Sequence, residues 1–99
     1  MDRFRKALLE AVDEGLLALG ESVRQAIYWH LKDRYGLDRE EIAFKPEAFH
    51  KALYGLFDEG ARILEKVIIK RLYKKLGITY KEKTEWNFIE YIKEAKRNL

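Results

Sequence analysis

The chain has 99 residues and a formal net charge of +3; 37% of its residues are charged and 47% are hydrophobic, which indicates a folded globular domain and excludes a disordered segment. The absence of cysteine excludes disulfide bonds, thiol catalysis and cysteine-bound zinc. Because no apolar run approaches the roughly 20 residues of a membrane span and the N-terminal segment is too acidic for a signal peptide, we expect a cytoplasmic protein with no membrane partner.

Two amphipathic helices are predicted in the first third of the chain. Apolar residues at three- and four-residue spacing predict a helix over residues 2–19, which Gly20 ends. Ser22 is the expected N-cap of a second helix that runs to Tyr35, where Gly36 supplies a left-handed C-cap. The inner face of this second helix is expected to hold Val23, Ala26, Ile27, His30 and Leu31.

A short helical turn and a third helix follow. Asp38 is expected to cap a turn over residues 39–43, and Pro46 suits the first position of a helix over residues 46–57, where a missing N–H costs nothing. Gly15 and Gly55 lie inside predicted helices, where glycine costs up to about 1 kcal/mol. We therefore expect a close approach of another element at both glycines. The residues expected to point inward from the third helix are Phe49, Ala52, Leu53, Leu56 and Phe57.

The fourth helix, over residues 61–76, is predicted to be the centre of the bundle. Its apolar side chains span about 140° of the surface, wider than the roughly 100° stripe of a surface helix, and Val67 and Ile63 are expected to extend this arc. Residues 60–83 carry eight basic and two acidic side chains, whereas residues 1–59 have a net charge of −3. The opposite stripe of the helix is basic: Arg62, Lys66, Lys70 and Lys74.

The C-terminal region is predicted to be an extended link followed by a last helix. Thr84 is expected to cap this helix, which covers about residues 85–98. The helix either closes its own bundle or crosses to a second copy of the chain. Its expected inner stripe consists of Phe88, Ile89, Ile92, Ala95 and Leu99.

Residues with catalytic or ligand-binding chemistry are sparse. His30 and His50 are twenty residues apart without metal-site spacing, so we interpret His30 as a hydrogen-bonded residue at the core edge and His50 as a rim residue. A small enzyme that uses His30 with a nearby carboxylate is a lesser alternative. No glycine-rich phosphate loop is present. Four aromatic residues lie off the apolar stripes and could mark an interface: Trp29, Trp86, Tyr80 and Tyr91.

A set of positions within about residues 7–77 matches the pattern of a known family. Most of these positions are caps, turns and core residues. These positions are Leu19-Gly20-Glu21-Ser22, Gln25-Ala26-Ile27-Tyr28, His30-Leu31, Gly36-Leu37, Glu41-Ile42, Lys45-Pro46-Glu47, Phe49, Leu53, Phe57, Gly60-Ala61 and Ile68 to Leu72-Tyr73. In them the chain resembles a family of small archaeal helical domains of unknown function, the Nitrosopumilus output-domain type. The resemblance implies archaeal origin and a place in signalling as an interaction module, and it carries no catalytic residues. The low content of thermolabile residues is typical of hyperthermophile proteins.

These observations predict one all-α domain over residues 1–99, a compact bundle of four long helices plus one short helical turn. The predicted function is a non-enzymatic module for protein–protein interaction or regulation, with a protein or a second copy as partner and with no cofactor, metal or small-molecule substrate. Electrostatic nucleic-acid binding through the basic stripe is the alternative, although residues 61–76 offer no Asn, Gln, Ser or Thr to read base edges. The candidate interaction surface is Arg62, Lys66, Lys70, Lys74, Lys81, Lys83, Tyr80 and Trp86.

Overall fold

The computed structural model describes residues 2–99, and within this range the regular secondary structure is entirely helical. Four helices of 12 to 17 residues are followed by a ten-residue helix, and a 3-10 turn at Arg39–Glu41 lies between the second and the third helix. The all-α prediction is confirmed. The α-helices are α1 (Arg3–Leu17), α2 (Glu21–Tyr35), α3 (Pro46–Phe57), α4 (Gly60–Leu76) and α5 (Phe88–Arg97).

Three predicted helix boundaries are confirmed, and each is set by local backbone chemistry. Gly36 and Gly77 follow α2 and α4 with positive φ angles of 61° and 71°, a conformation that costs glycine little. Pro46 is the first residue of α3.

Two predicted N-caps are wrong. α2 begins directly after Gly20, whose φ of 107° lets the chain turn sharply out of α1, so that Ser22 lies inside the helix. α5 begins after Asn87 and not after Thr84: Asn87 Oδ1 accepts from the Glu90 N–H at 3.1 Å, and Glu90 Oε1 accepts from the Asn87 N–H at 2.9 Å. This reciprocal capping box satisfies two backbone donors, which a lone threonine cannot do.

α4 is the central helix, as predicted, because it packs against α1, α3 and α5. The closest approach is to α1 at Gly15, where an added Cβ would lie 2.7 Å from Cγ1 of Ile68. The same interface is bridged at its edge by Glu14, which accepts hydrogen bonds from Arg71 at 3.2 Å and from Lys75 at 2.6 Å. A Cβ added at Gly55 would meet the Tyr35 side chain of α2. The expected close approach is therefore confirmed at both glycines.

The buried core is one cluster with side chains from all five α-helices, but several predicted inner positions are exposed. On α4, Ile63 is 73% exposed, because it falls on the basic side of the helix. α2 buries only Ile27 and Leu31, so it packs less deeply than predicted. The other predicted inner residues that the structure leaves exposed are Val23, Ala26, Phe57 and Leu99.

Asp13 ties α1 to α2 and to the 3-10 turn. Its carboxylate accepts from Arg39 Nε at 2.9 Å and from the Tyr28 hydroxyl, and Arg24 lies 3.7 Å away. Burial acts to raise the pKa of Asp13, but the hydrogen bonds from Arg39 and Tyr28 outweigh it and hold the pKa below its ordinary value. Among residues 2–99, no helix has the length and apolar composition needed to cross a bilayer.

Candidate binding cleft between α4 and α5

The connector between α4 and α5, residues 77–87, is held against both helices by tyrosine side chains. The Lys83 N–H donates to the Tyr91 hydroxyl oxygen at 2.7 Å, and that hydroxyl donates to the Lys83 carbonyl at 3.2 Å. The Tyr73 hydroxyl in turn donates to the Tyr91 carbonyl at 2.8 Å. Burial raises the pKa of Tyr73 to about 12, so it remains a neutral donor at physiological pH. A segment without helix is thereby fixed in place.

Aromatic rings pack around Tyr91 and form the wall that the connector presents. Tyr80 stacks on Tyr91 with ring centroids 5.6 Å apart, and Trp86 meets Tyr91 edge to face at 5.2 Å. These geometries are the favourable ones for aromatic pairs. The prediction that Tyr91 lies off the apolar stripe is wrong, since Tyr91 is buried, whereas Tyr80 and Trp86 are partly buried and open to the surface.

A cavity of about 430 Å³ lies between this wall and α4. We call it the α4–α5 cleft. The end of α3 contributes Tyr54, and α4 contributes Ile69. The connector and the start of α5 supply Tyr80, Trp86 and Phe88, so that the cleft is rich in aromatic rings. Its volume falls in the range of pockets that take small molecules or single side chains.

Glu65 lines the cleft and is the only charged residue buried within residues 2–99, at 4% exposure. Its Oε2 lies 2.5 Å from Nδ1 of His50 on α3, and the His50 ring stacks on Phe88 with planes 8° apart. Burial raises the pKa of Glu65, and the hydrogen bond with His50 acts in the opposite direction. Glu65 lines the cleft and His50 does not, so a molecule in the cleft would lie beside Glu65 and not beside the imidazole.

Charged side chains of both signs surround the opening. Lys66 pairs with Glu82 across the space between α4 and the connector, and this pairing lowers the pKa of Glu82. Lys83 stands over the Trp86 ring, with its ammonium 5.5 Å from the ring centroid. The remaining charged residues of the lining are Glu59, Arg62 and Glu85.

The structure brings five of the eight predicted surface residues together at this cleft. The five that line it are Arg62, Lys66, Lys83, Tyr80 and Trp86. Lys70 stands over the Tyr80 ring at 5.5 Å, outside the lining. Lys74 and Lys81 are exposed elsewhere, so the predicted surface is divided between a cleft and a stripe.

The basic stripe is partly neutralised by acidic residues from distant parts of the chain. Lys66 pairs with Glu82, and at the other edge of α4 both Arg71 and Lys75 pair with Glu14 of α1. Glu82 is one of the two acidic residues already counted in residues 60–83, so the further neutralisation of that segment comes from Glu14 of α1.

His30 contributes to neither of the two cavities described. Its ring lies edge-on to Trp29 at 5.0 Å, and its Nδ1 is buried without a hydrogen-bond partner in the described part of the chain. The predicted hydrogen bond of His30 is thus missing. A second cavity of about 570 Å³, between Phe4, Phe44 and Leu99, contains no buried charge.

Sequence reasoning missed Glu65, although a signal was present. Glu65 stands three residues before Ile68 and four before Ile69, which places it in the middle of the apolar arc of α4. An acidic residue at such a position indicates a buried carboxylate. Its partner His50 lies on a different helix and could not be assigned from local spacing.

Comparison of the chain with known protein families, with curated proteins and with solved structures finds no match. The resemblance to the archaeal output domains stays a prediction.

Proposed function

We propose that the protein is a non-enzymatic interaction module that binds a short segment of a partner protein in the α4–α5 cleft. The observation that carries the proposal is the combination of an aromatic-walled cavity of about 430 Å³ with a buried carboxylate, Glu65. Tyrosine and tryptophan are enriched at protein interfaces, where they anchor binding in partly formed pockets.

Binding is favoured over catalysis because the one buried carboxylate of the cleft, Glu65, is already engaged by His50. A general acid or base must lie within hydrogen-bonding reach of the proton that it transfers. His50 is hydrogen-bonded to Oε2 of Glu65 and lies outside the lining. The His50–Glu65 pair is the arrangement that most resembles a catalytic pair, and in it His50 holds the carboxylate in place.

Self-association is a second part of the proposal, and α2 is the surface that favours it. Trp29 is 61% exposed and Val23 is 41% exposed on this helix, which buries only two of its residues. Sedimentation at micromolar concentration tests this part: we expect a reversible dimer that Trp29→Glu converts to a monomer. A wild-type protein that sediments as a monomer would contradict self-association.

The cleft itself is tested by selecting peptides from a random display library and measuring their affinity for two variants. Thr84 lines the cleft and is exposed, so Thr84→Trp should fill the opening without disturbing the core. Thr79, exposed on the same connector but outside the lining, supplies the control Thr79→Trp. We expect selected peptides to lose at least about tenfold in affinity for Thr84→Trp, the equivalent of one lost anchor, and little for Thr79→Trp.

The proposal fails if the library gives no binder, or if both tryptophan variants bind the selected peptides as tightly as the wild type does. Unfolding of each variant by urea checks that a loss of binding is not a loss of structure.

Electrostatic nucleic-acid binding is the alternative function. The observation in its favour is that five cations of the candidate interaction surface form no ion pair within residues 2–99: Arg62, Lys70, Lys74, Lys81 and Lys83. A backbone binder loses affinity steeply as salt rises. Fluorescence anisotropy with duplex and single-stranded oligonucleotides at low salt decides the matter, because an absence of binding there eliminates this alternative.

A further inference from the structure

We propose that the α4–α5 cleft recognises a cation, the ammonium or guanidinium group of a lysine or arginine side chain in the partner segment. The charged group would meet the Glu65 carboxylate, and its aliphatic stem would lie along Tyr80 and Trp86. The inference rests on the proposed function and adds the chemical class of what is bound.

The first argument is the incomplete neutralisation of Glu65. His50 engages Oε2 and is the one group that opposes the effect of burial on this carboxyl. The other oxygen, Oε1, accepts none of the hydrogen bonds described within residues 2–99, and it is not one of the fully buried atoms without a partner, so it keeps some contact with solvent. A buried carboxylate is costly unless it is paired and fully hydrogen-bonded. A cationic group that enters the cleft would supply the missing partner.

The second argument is that folding does not require a charge at this position. Glu65 stands among the apolar residues of α4 that form the core, next in the arc to Leu72 and Leu76. Replacing a buried ion pair by apolar residues of similar volume is often neutral or stabilising. The presence of a carboxylate at the wall of a cavity is therefore better explained by a ligand than by packing.

The third argument comes from the aromatic wall, which already attracts the chain's own ammonium groups. Lys83 stands 5.5 Å from the ring centroid of Trp86, and Lys70 stands 5.5 Å from that of Tyr80. Tryptophan and tyrosine faces attract cations through the ring quadrupole at such distances. An aromatic wall beside a carboxylate is a combination that suits an alkylammonium or guanidinium group.

The charges at the opening favour a cation over an anion. The lining has four carboxylates and three basic side chains, and one of the basic residues, Lys66, is already paired with Glu82. An anion would have to approach the buried Glu65, and it would find only Arg62 and Lys83 without a carboxylate partner in the described ion pairs. The opposite preference, for an acidic side chain, is an outcome of the test.

The test uses three small probes and the full chain. The probes are the N-acetyl, N-methylamide derivatives of lysine, of Nε-acetyl-lysine and of glutamate, which carry a positive, a neutral and a negative side chain. Binding is followed by NMR through the indole N–H signal of Trp86. The variant is Glu65→Gln, which keeps the shape of the side chain, and the matched control is Glu85→Gln, at the exposed rim of the same cleft.

We expect the lysine probe to bind more tightly than the other two, and Glu65→Gln to weaken it by at least about tenfold, the effect of removing a charged hydrogen-bond partner. Glu85→Gln should change the affinity by less than about threefold, as is usual for an exposed charge. Equal binding of the neutral or the acidic probe to the wild type overturns the inference, and so does unchanged affinity of the lysine probe for Glu65→Gln.

The selected peptides separate this inference from the proposed function. If peptides bind in the cleft and tolerate replacement of each of their lysine and arginine residues by norleucine, the interaction module stands and the cation preference is wrong. If the lysine probe binds through Glu65 while no peptide depends on the cleft, the preference stands and the peptide-binding function is wrong.

Discussion

At the scale of single residues, Glu65 combines a cost in stability with a proposed role in binding. Because burial raises its pKa, the folded protein holds the proton more tightly than the unfolded chain does. For such an acid, the contribution to stability is largest below the unfolded pKa and falls as the pH rises through the folded pKa. At neutral pH the carboxylate therefore works against folding, and His50 limits the cost.

A double-mutant cycle tests this pairing. We expect Glu65→Gln to unfold at a urea concentration equal to or higher than that of the wild type at pH 7, because it removes a buried charge. His50→Ala should cost about 3 kcal/mol in the wild type, since it leaves the carboxylate uncompensated. The cost should be about 1–2 kcal/mol smaller in the Glu65→Gln background. An equal cost in both backgrounds would show that His50 acts only by packing on Tyr54 and Phe88.

Asp13 is the opposite case, because its carboxylate stabilises the fold. Asp13→Asn should lower the free energy of unfolding at pH 7 by about 1–2 kcal/mol, the value of charged hydrogen bonds in a partly exposed site. The control is Asp33→Asn, an exposed aspartate of α2, which should stay within about 0.5 kcal/mol of the wild type.

The pH dependence of Asp13 follows from the sign of its shift. Its folded pKa lies below the ordinary 3.8, so the stabilisation is complete above that value and is lost as the pH falls through the folded pKa. The difference between wild type and Asp13→Asn in the free energy of unfolding by urea should therefore become smaller as the pH falls below the folded pKa of Asp13. A difference that persists there unchanged would contradict the assigned role of the Arg39 and Tyr28 hydrogen bonds.

At the scale of helices, boundaries set by backbone constraint were predictable and boundaries set by competition between caps were not. Gly36, Gly77 and Pro46 act through their own φ preferences, which hold in any context. Threonine is a good N-cap in isolation, so Thr84 was a reasonable prediction. The N-cap in the structure is Asn87, the last residue of the connector, because its side chain and that of Glu90 each accept a hydrogen bond from the other's backbone N–H.

The contact between α1 and α4 depends on the absence of a side chain at Gly15. Gly15→Ala would place a Cβ 2.7 Å from Ile68 Cγ1, and we expect overpacking to cost about 1–3 kcal/mol in urea unfolding. Gly60→Ala is the control, since its Cβ would meet nothing closer than 3.7 Å and helix propensity favours alanine by up to about 1 kcal/mol. A Gly15→Ala protein as stable as the wild type would refute the close packing.

The connector is predicted to depend on the Tyr91 hydroxyl. Tyr91→Phe removes the group that binds both the N–H and the carbonyl of Lys83, which should cost about 1 kcal/mol. Hydrogen exchange at the Lys83 amide should become roughly fivefold faster. Tyr54→Phe is the control, because its ring packs on His50 and its hydroxyl takes part in neither hydrogen bond between Tyr91 and Lys83. Equal exchange rates in both variants would mean that ring stacking alone holds the connector.

At the scale of the whole molecule, the sequence predicted the composition of the candidate site better than its shape. The basic and aromatic residues of α4 and the connector were identified. Their assembly into a cleft depends on the hydrogen bond by which Tyr91 of α5 holds the connector at Lys83. Long-range pairing also lowers the positive charge of α4, since Glu14 of α1 pairs with Arg71 and Lys75. Local periodicity carries no information about either effect.

The resemblance to the output domains covers about residues 7–77, whereas much of the cleft lies beyond it. Tyr80, Trp86 and Phe88 belong to the connector and α5, and α4 provides the facing wall. The cleft therefore lies largely outside the residues on which the predicted resemblance rests.

The most direct test of the central claim, that a partner segment binds in the α4–α5 cleft, is an amide chemical-shift map of the labelled protein with a selected peptide. We predict that the largest changes fall on Glu65, Tyr80 and Trp86, and that Val23 and Trp29 on α2 stay unchanged at peptide saturation. Changes centred on α2, or spread along the basic stripe without Glu65, would contradict the claim.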